Sequence, residues 1–177
     1  KAGLKSISGN AAMIKKVYVP KYIYPLSSVL FNYIIFAISL IVLVVVSIVL
    51  KVYPTVYLLQ AIIPLILLLI TAFGVGMILS TMAVFFRDLE YLWSVGLMII
   101  MYASAIFYKP DRLLKSGFGW ILKCNPLYLL IHNFRQAVFG MPMNMKFLAA
   151  SVVFAIVSVI VGLVFFYKKQ DEFILHI

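Results

Sequence analysis

Charged side chains are scarce in this sequence of 177 residues: Asp, Glu, Lys and Arg together make up 11% of it. Soluble domains ordinarily contain about 25% of these residues and roughly 45–50% apolar ones. Here the apolar share is 66%, and a soluble domain of this length could not bury so much apolar surface. The composition therefore excludes an ordinary soluble domain and predicts an integral membrane protein.

Cysteine occurs once, at Cys124, and the sequence contains no Cys-x-x-Cys pair or Cys/His cluster typical of a metal site. An internal disulfide is therefore excluded, and no metal site is expected. Acidic residues are also rare, so the formal net charge is +10. We assign this excess to basic residues that face anionic lipid head groups rather than to nucleic-acid binding, because no soluble basic domain is present. The sequence lacks an initiator methionine and a signal-peptide pattern, so we expect it to begin inside a longer protein.

Long apolar runs occupy most of the chain. About 20 residues in a helix cross the hydrocarbon core of a bilayer, so the runs predict four transmembrane helices, at 26–50, 56–86, 89–108 and 147–167. The second run is longer than a bilayer requires and contains Pro64, so we expect this helix to tilt, kink or project from the membrane. Its small residues are spaced for close helix packing: Gly74, Gly76 and Ser80.

One short charged break, Arg87-Asp88, separates the second predicted span from the third. Charges of membrane helices are expected at the ends of the spans. A cation at the end of one helix and an anion at the start of the next also match the two helix dipoles. We interpret the break as a tight turn at the membrane surface.

Residues 8–21 predict a short amphipathic helix that Pro20 would stop. Ser8 or Asn10 is placed to cap its start. Four residues at helical spacing form its apolar face: Met13, Ile14, Val17 and Tyr18. Such a helix either lies at the membrane surface or docks into a groove of a partner.

The basic and aromatic segment 109–146 is not a span of the usual kind. Pro110 and Asp111 are suited to start a short helix, and Asn125-Pro126 makes a turn. Apolar residues then repeat at helical spacing until Gly140. We expect two short, half-buried helices that dip into the membrane surface.

Four segments together resemble the permease subunits of bacterial ABC exporters for polysaccharides, O-antigens and wall teichoic acids. They are residues 10–25 (NAAMIKKVYVP, then IYP), Val84–Leu89 (VFFRDL), Ser104–Tyr108 (SAIFY), and residues 125–140 with Asn-Pro-Leu, Phe-Arg and a final glycine. Their order and spacing cover nearly the whole chain. That family has six spans, of which this chain would supply the last four. The family usually has a proline where this chain has Ala105, so we expect a gentler bend there.

The resemblance implies an all-α permease domain over residues 1–177, in the inner membrane of a bacterium. It implies a cytoplasmic coupling helix at 8–21 and external gate helices within 109–146. The composition alone leaves the orientation open, because the two sides carry eight and seven Lys and Arg residues. The sequence has no phosphate-binding loop of the Walker type. ATP and Mg²⁺ are therefore expected in a separate ATPase subunit, two copies of which would serve a permease homodimer.

The resemblance also implies roles for individual residues. The contact with the ATPase subunit would comprise Met13, Ile14, Lys15, Lys16, Val17 and Tyr18, while Arg87 and Asp88 form a second contact or only fix the turn. The candidates to line the substrate path are aromatic, although such residues also favour membrane interfaces: Tyr33, Phe73, Tyr102, Phe107 and Tyr108. The external gate would comprise Trp120, Asn125, Pro126, Phe134 and Arg135. Four basic residues would attract a lipid-linked diphosphate or anionic glycan, or contact head groups: Lys109, Arg112, Lys115 and Arg135.

The implied function is ATP-driven export of a lipid-linked polysaccharide, O-antigen or teichoic acid by rigid-body rearrangement of the permease dimer. Export of a drug, peptide or lipid is one alternative. A membrane-embedded lipid-linked sugar transferase is an alternative of another class. The sequence places no charge pair within a predicted span, whereas acid–base catalysis or metal-held diphosphates would require clustered carboxylates. We therefore expect no catalytic residues in this chain.

Overall fold

The computed structural model describes residues 2–16, 19–51, 55–86, 88–108, 110 and 119–173, with only the backbone given at Lys15. Within these residues the fold is all helical, as predicted. The α-helices are α1 (Ala11–Lys16), α2 (Ile23–Val49), α3 (Ile62–Phe85), α4 (Leu89–Ala103), α5 (Gly119–Cys124), α6 (Pro126–Val138) and α7 (Met145–Lys169). Short 3-10 helices occupy Gly3–Lys5, Ser8–Asn10, Val56–Ala61 and Gln170–Glu172.

Three helical segments of the described chain are long and apolar enough to cross a membrane: Ile23–Val49, Val56–Phe85 and Met145–Glu172. The third predicted span, 89–108, is shorter than expected, because α4 has only 15 residues and extends about 22 Å. The helix ends at Ala103, with Ser104 as its C-cap, and Ala105 follows with a left-handed φ of +49°. Where a gentler bend was expected at Ala105, the chain has already left the helix.

The crossing of α3 and α7 forms the most extensive helix–helix contact. A Cβ atom added to Gly74 would lie 2.5 Å from the carbonyl carbon of Ser158, so only a glycine fits at this point. The face of α7 that meets α3 is made of small buried residues: Ser151, Ala155, Ser158 and Gly162. Small residues of this kind let two membrane helices approach at the backbone.

Contacts between distant segments bring the beginning and the end of the described chain together. Ile7, Met77 and Phe173 are fully buried members of one apolar cluster. The Nζ atom of Lys21 donates a hydrogen bond to the carbonyl oxygen of Gln170 at 2.6 Å. We call this end of the bundle the base, and it comprises residues 2–16, 19–21, 88–93 and 166–173.

At the opposite end, α5 and α6 pack beside the start of α7, and we call this the gate end. Asn125 caps α6 as the predicted turn requires, because its Oδ1 atom accepts a hydrogen bond from the backbone N–H of Leu127. Gly140 follows α6 with a φ of +71°, against Thr55. The short helix predicted to start at Pro110 and Asp111 lies outside the described residues, apart from Pro110 itself.

Candidate functional site

A groove of about 960 Å³ lies between α2, α3, α4 and α5. Its lining is mostly apolar, with aromatic side chains from three of these helices and from α7: Tyr33, Phe36, Trp93, Trp120 and Phe154. Among the described residues that line it, none is charged. This described lining is therefore suited to an apolar or neutral molecule and contains no cation for a phosphate.

Two neutral donors of the groove lack a partner within the described structure. The Oγ1 atom of Thr71 and the Nε1 atom of Trp93 are buried without a hydrogen bond, and Thr71 is only 5% exposed. The hydroxyl of Tyr33, by contrast, donates to the carbonyl oxygen of Leu65 at 3.0 Å. A ligand with hydroxyl or carbonyl oxygens would satisfy the two unpaired donors.

Of the aromatic residues predicted to line a substrate path, Tyr33 alone is in the groove. Phe73 packs against the apolar cluster of the base instead, because its side of α3 faces α7. Tyr102, Phe107 and Tyr108 are exposed at and beyond the end of α4, with the rings of Tyr102 and Phe107 6.1 Å apart. These three residues therefore lie on the outer surface of the chain.

Of the predicted gate residues, Trp120, Asn125 and Pro126 line the groove. Phe134 is half-buried and is not part of the lining. Arg135 is engaged within the chain, since its guanidinium donates to the carbonyl oxygens of Ala105 and Ile106 at 3.1 and 3.4 Å. The other basic residues proposed to attract an anionic substrate lie outside the described residues: Lys109, Arg112 and Lys115.

The predicted contact with an ATPase lies at the base, where the described part of α1 spans Ala11–Lys16. Of the predicted range 8–21, residues Ser8–Asn10 form a 3-10 helix and residues 19–21 are not helical. Met13 is 56% exposed, and Lys16 is exposed as well. Ile14 instead packs against the apolar cluster of the base, so the predicted apolar face is divided between the interior and the surface. The remaining predicted contacts of this segment lie outside the described residues: Val17, Tyr18 and the side chain of Lys15.

The turn between α3 and α4 also lies at the base. Asp88 is exposed and occupies the position before α4, but its side chain makes no capping hydrogen bond. Arg87 lies outside the described residues. Next to this turn, the ammonium of Lys5 and the carboxylate of Glu90 form an ion pair at 2.8 Å, which the sequence pattern did not reveal.

Sequence reasoning also missed a polar pair inside α6. Asn133 is fully buried, and its Oδ1 atom accepts a hydrogen bond from the backbone N–H of Asn144 at the start of α7. The ring of His132 meets that of Phe147 edge-on at 5.0 Å. Burial lowers the pKa of His132 below its ordinary value, and the positive charge of Arg135 lowers it further. The adjacent polar residues His132 and Asn133, which interrupt the apolar first half of α6, were the available signal.

A bundle of long helices whose outward faces are apolar defines an integral membrane protein of the all-α class. A family model described as "ABC-2 type transporter" matches residues 14–139, and the chain belongs to this family. It is 34% and 32% identical to two proteins of Klebsiella pneumoniae, each named O-antigen export system permease protein RfbA. Both similarities extend over 172 residues, which are 96% of this chain and 66% of each relative. The chain thus spans just under two thirds of the length of these relatives.

Proposed function

We propose that this chain forms the membrane permease subunit of an ATP-driven exporter of a lipid-linked polysaccharide of the O-antigen type, in the inner membrane of a bacterium. The observation that carries the proposal is its similarity, over 96% of its length, to two O-antigen export permeases. Teichoic acid, the other polymer that the resemblance implies, is a polyphosphate, and the uncharged described lining of the groove favours a neutral glycan over it.

The base is the end at which an ATPase subunit would bind. Exposed Met13 and Lys16 on α1 and exposed Asp88 at the α3–α4 turn are accessible there. ATP and Mg²⁺ would be bound by the partner, while this chain supplies the membrane helices that enclose the substrate path and change position. Closure of two ATPase subunits would push two permease copies through a rigid-body rearrangement.

The groove supports a neutral, partly apolar substrate. Aromatic rings such as those of Tyr33 and Trp120 offer flat surfaces for sugar rings. The unpaired donors of Thr71 and Trp93 suit sugar hydroxyls or carbonyl oxygens. Exposed Tyr102 would face the space between two permease copies.

One observation favours a second candidate, which is export of a lipid, drug or peptide. The described lining of the groove is uncharged and mostly apolar, and pockets for small apolar ligands share this character. The two candidates differ in whether the gene restores surface polysaccharide to a cell that lacks its own exporter. A lipid or drug exporter would leave the surface polysaccharide unchanged.

The test is complementation with the full-length gene and its neighbouring ATPase gene, in a bacterium that makes the matching glycan but lacks its exporter. We expect surface polysaccharide to return, and we expect the ATPase to co-purify with the permease in mild detergent. A permease that purifies without an ATPase, in a cell whose surface polysaccharide does not return, would refute the proposal.

A charge-reversal pair tests the site of the ATPase contact. Lys15→Glu/Lys16→Glu should leave ATP hydrolysis active and abolish its coupling to export. The matched control is Lys123→Glu/Lys146→Glu, which reverses two exposed charges at the gate end and should leave coupling intact. Intact coupling of ATP hydrolysis to export in both double variants would show that α1 is not the contact.

A further inference from the structure

We propose that α4 is a rigid strut that transmits displacement from the base to the gate helices α5 and α6, and that Asn125 and Arg135 are the positioning residues that fix the gate helices to it. The inference rests on the proposed function, because α4 can transmit a displacement only if a partner displaces the base. It concerns a connection between two ends of the chain, and it adds a role for residues that do not contact the ATPase.

The first end of α4 is anchored at the base. Glu90 pairs with Lys5 across 2.8 Å. Trp93, one turn further along the helix, packs against buried Leu4 and Leu79. A displacement of the N-terminal segment therefore acts directly on the start of α4.

The second end of α4 is tied to the start of α6 by one side chain. The Nδ2 atom of Asn125 donates a hydrogen bond to the Oγ atom of Ser104 at 2.9 Å and lies 3.4 Å from the carbonyl oxygen of Ile100. The Oδ1 atom of the same residue caps α6 through the N–H of Leu127. Ser104 is fully buried, whereas Asn125 is half-buried at the edge of the groove, so only the Ser104 side of this joint is shielded from solvent.

A second tie lies beyond the end of α4. Arg135, more than two turns along α6, donates to the carbonyl oxygens of Ala105 and Ile106. Ala105 is fully buried against Leu122 and Tyr128. Its left-handed backbone is unfavourable for an L-residue, so the surrounding contacts must hold it. Two separate ties prevent rotation of α6 about either one.

Between its two ends α4 has few contacts with other described residues. None of its residues is buried, and it touches α3 only sparsely within the described structure. One side of the helix borders the groove through Leu97 and Ile100. A single continuous helix that is held at its ends and free between them moves as one body along its axis, which is the property of a strut.

Spin-label distances in the full-length protein test the joint without any substrate. Nitroxides at Tyr91→Cys and Phe139→Cys, both exposed positions, report on the base end of α4 and on the end of α6, with Cys124→Ser and any other native cysteine replaced. We expect one narrow distance distribution, and Asn125→Ala/Arg135→Gln should make it roughly twice as wide. Ser39→Ala, which removes a side-chain hydrogen bond within α2 and joins no two segments, should leave the width unchanged. An unchanged width in the double variant would overturn the strut.

If the double variant does not insert into membranes, two single variants keep the test decisive. Arg135→Gln leaves the Asn125 joint in place and should give an intermediate width. Arg135→Lys retains a donor and should restore part of the narrow distribution. Equal widths in both variants and in the parent protein would overturn the proposal.

Adding the ATPase partner and a non-hydrolysable ATP analogue tests transmission. The distance between labels at Tyr91 and Phe139 should stay constant, while the distance from Tyr91 to a label on exposed Ile34 of α2 should change. Asn125→Ala/Arg135→Gln should lower export per ATP hydrolysed by about tenfold while hydrolysis continues. A nucleotide-dependent distance between Tyr91 and Phe139 would overturn the strut. Lack of any ATPase binding by the parent protein would instead refute the proposed function, and the label widths would still decide the joint.

Discussion

The carbonyl oxygen of Gly74 lies 2.5 Å from the position that a Cβ atom on Gly162 would occupy. The same added atom would lie 3.1 Å from the Cβ of Met77. The backbones of α3 and α7 are thus in direct contact at their crossing. A side chain at either glycine would have to push the two helices apart.

Alanine at either glycine should therefore loosen the bundle. We expect Gly74→Ala and Gly162→Ala each to cost about 1–3 kcal/mol, as overpacking of a close-packed interior does. The measurement is the melting temperature of the purified full-length protein in detergent. Gly96→Ala is the matched control, because its new Cβ would have no neighbour nearer than the Trp93 ring at 3.9 Å. If Gly162→Ala melts at the same temperature as Gly96→Ala, the crossing is wider than described.

The left-handed backbone of Ala105 makes a second prediction. Glycine adopts this conformation without steric cost, whereas proline fixes φ near −65° and cannot keep the observed +49°. We expect Ala105→Pro to lower the melting temperature and Ala105→Gly to maintain or raise it, since an L-residue pays about 1–2 kcal/mol in this region. Stability of Ala105→Pro equal to that of the parent would mean that the turn after α4 is not left-handed.

The predicted helices could be read from the sequence because long apolar runs and turn residues are local signals. The predicted span 147–167 lies within Met145–Lys169, and the predicted turn at Asn125 caps α6. The small residues on the second predicted span also lie at close contacts, since a Cβ on Gly76 would be 3.0 Å from Val29 of α2. The spacing of these residues is a local property of the chain, although the helices that Gly74 and Gly76 contact are distant in sequence.

The partners of each face could not be read in the same way. Helical spacing placed Ile14 on the apolar face of α1, and Phe73 was predicted to line the substrate path, but neither prediction showed that the base cluster covers both residues. The end of α4 was missed because the apolar run continues past Ala103. That end is fixed instead by Asn125 and Arg135, which are 21 and 30 residues away from the groups they bond, Ser104 and Ala105.

The half-buried imidazole of His132 predicts a dependence of stability on pH. Its pKa lies below the ordinary value because burial, and then the charge of Arg135, disfavour the protonated form. Below about pH 6.5 the unfolded chain binds a proton that the folded chain resists, so stability is complete above this pH and falls as the pH approaches the lowered pKa. We expect the melting temperature to fall between pH 7.5 and 5.5, and to fall less in His132→Phe.

Arg135→Gln serves as a second variant in the test of His132. Removal of the neighbouring charge should raise the pKa of His132 and weaken the dependence of the melting temperature on pH. The comparison requires only the difference between melting temperatures at the two pH values. An identical difference in the parent protein and in His132→Phe would assign the pH dependence to other groups.

The single cysteine of the sequence offers a test of orientation. Cys124 is exposed on α5 at the gate end, and the proposed function places this end outside the cytoplasm. A membrane-impermeant maleimide added to intact spheroplasts should therefore label Cys124 of the full-length protein, with Cys124→Ser as the control for other thiols. In a Cys124→Ser background, Met13→Cys at the base should be labelled only after permeabilisation, because Met13 is exposed at the opposite end of the bundle. The reverse pattern would place α1 outside the cell, where no ATPase could reach it, and would exclude the proposed coupling through the base.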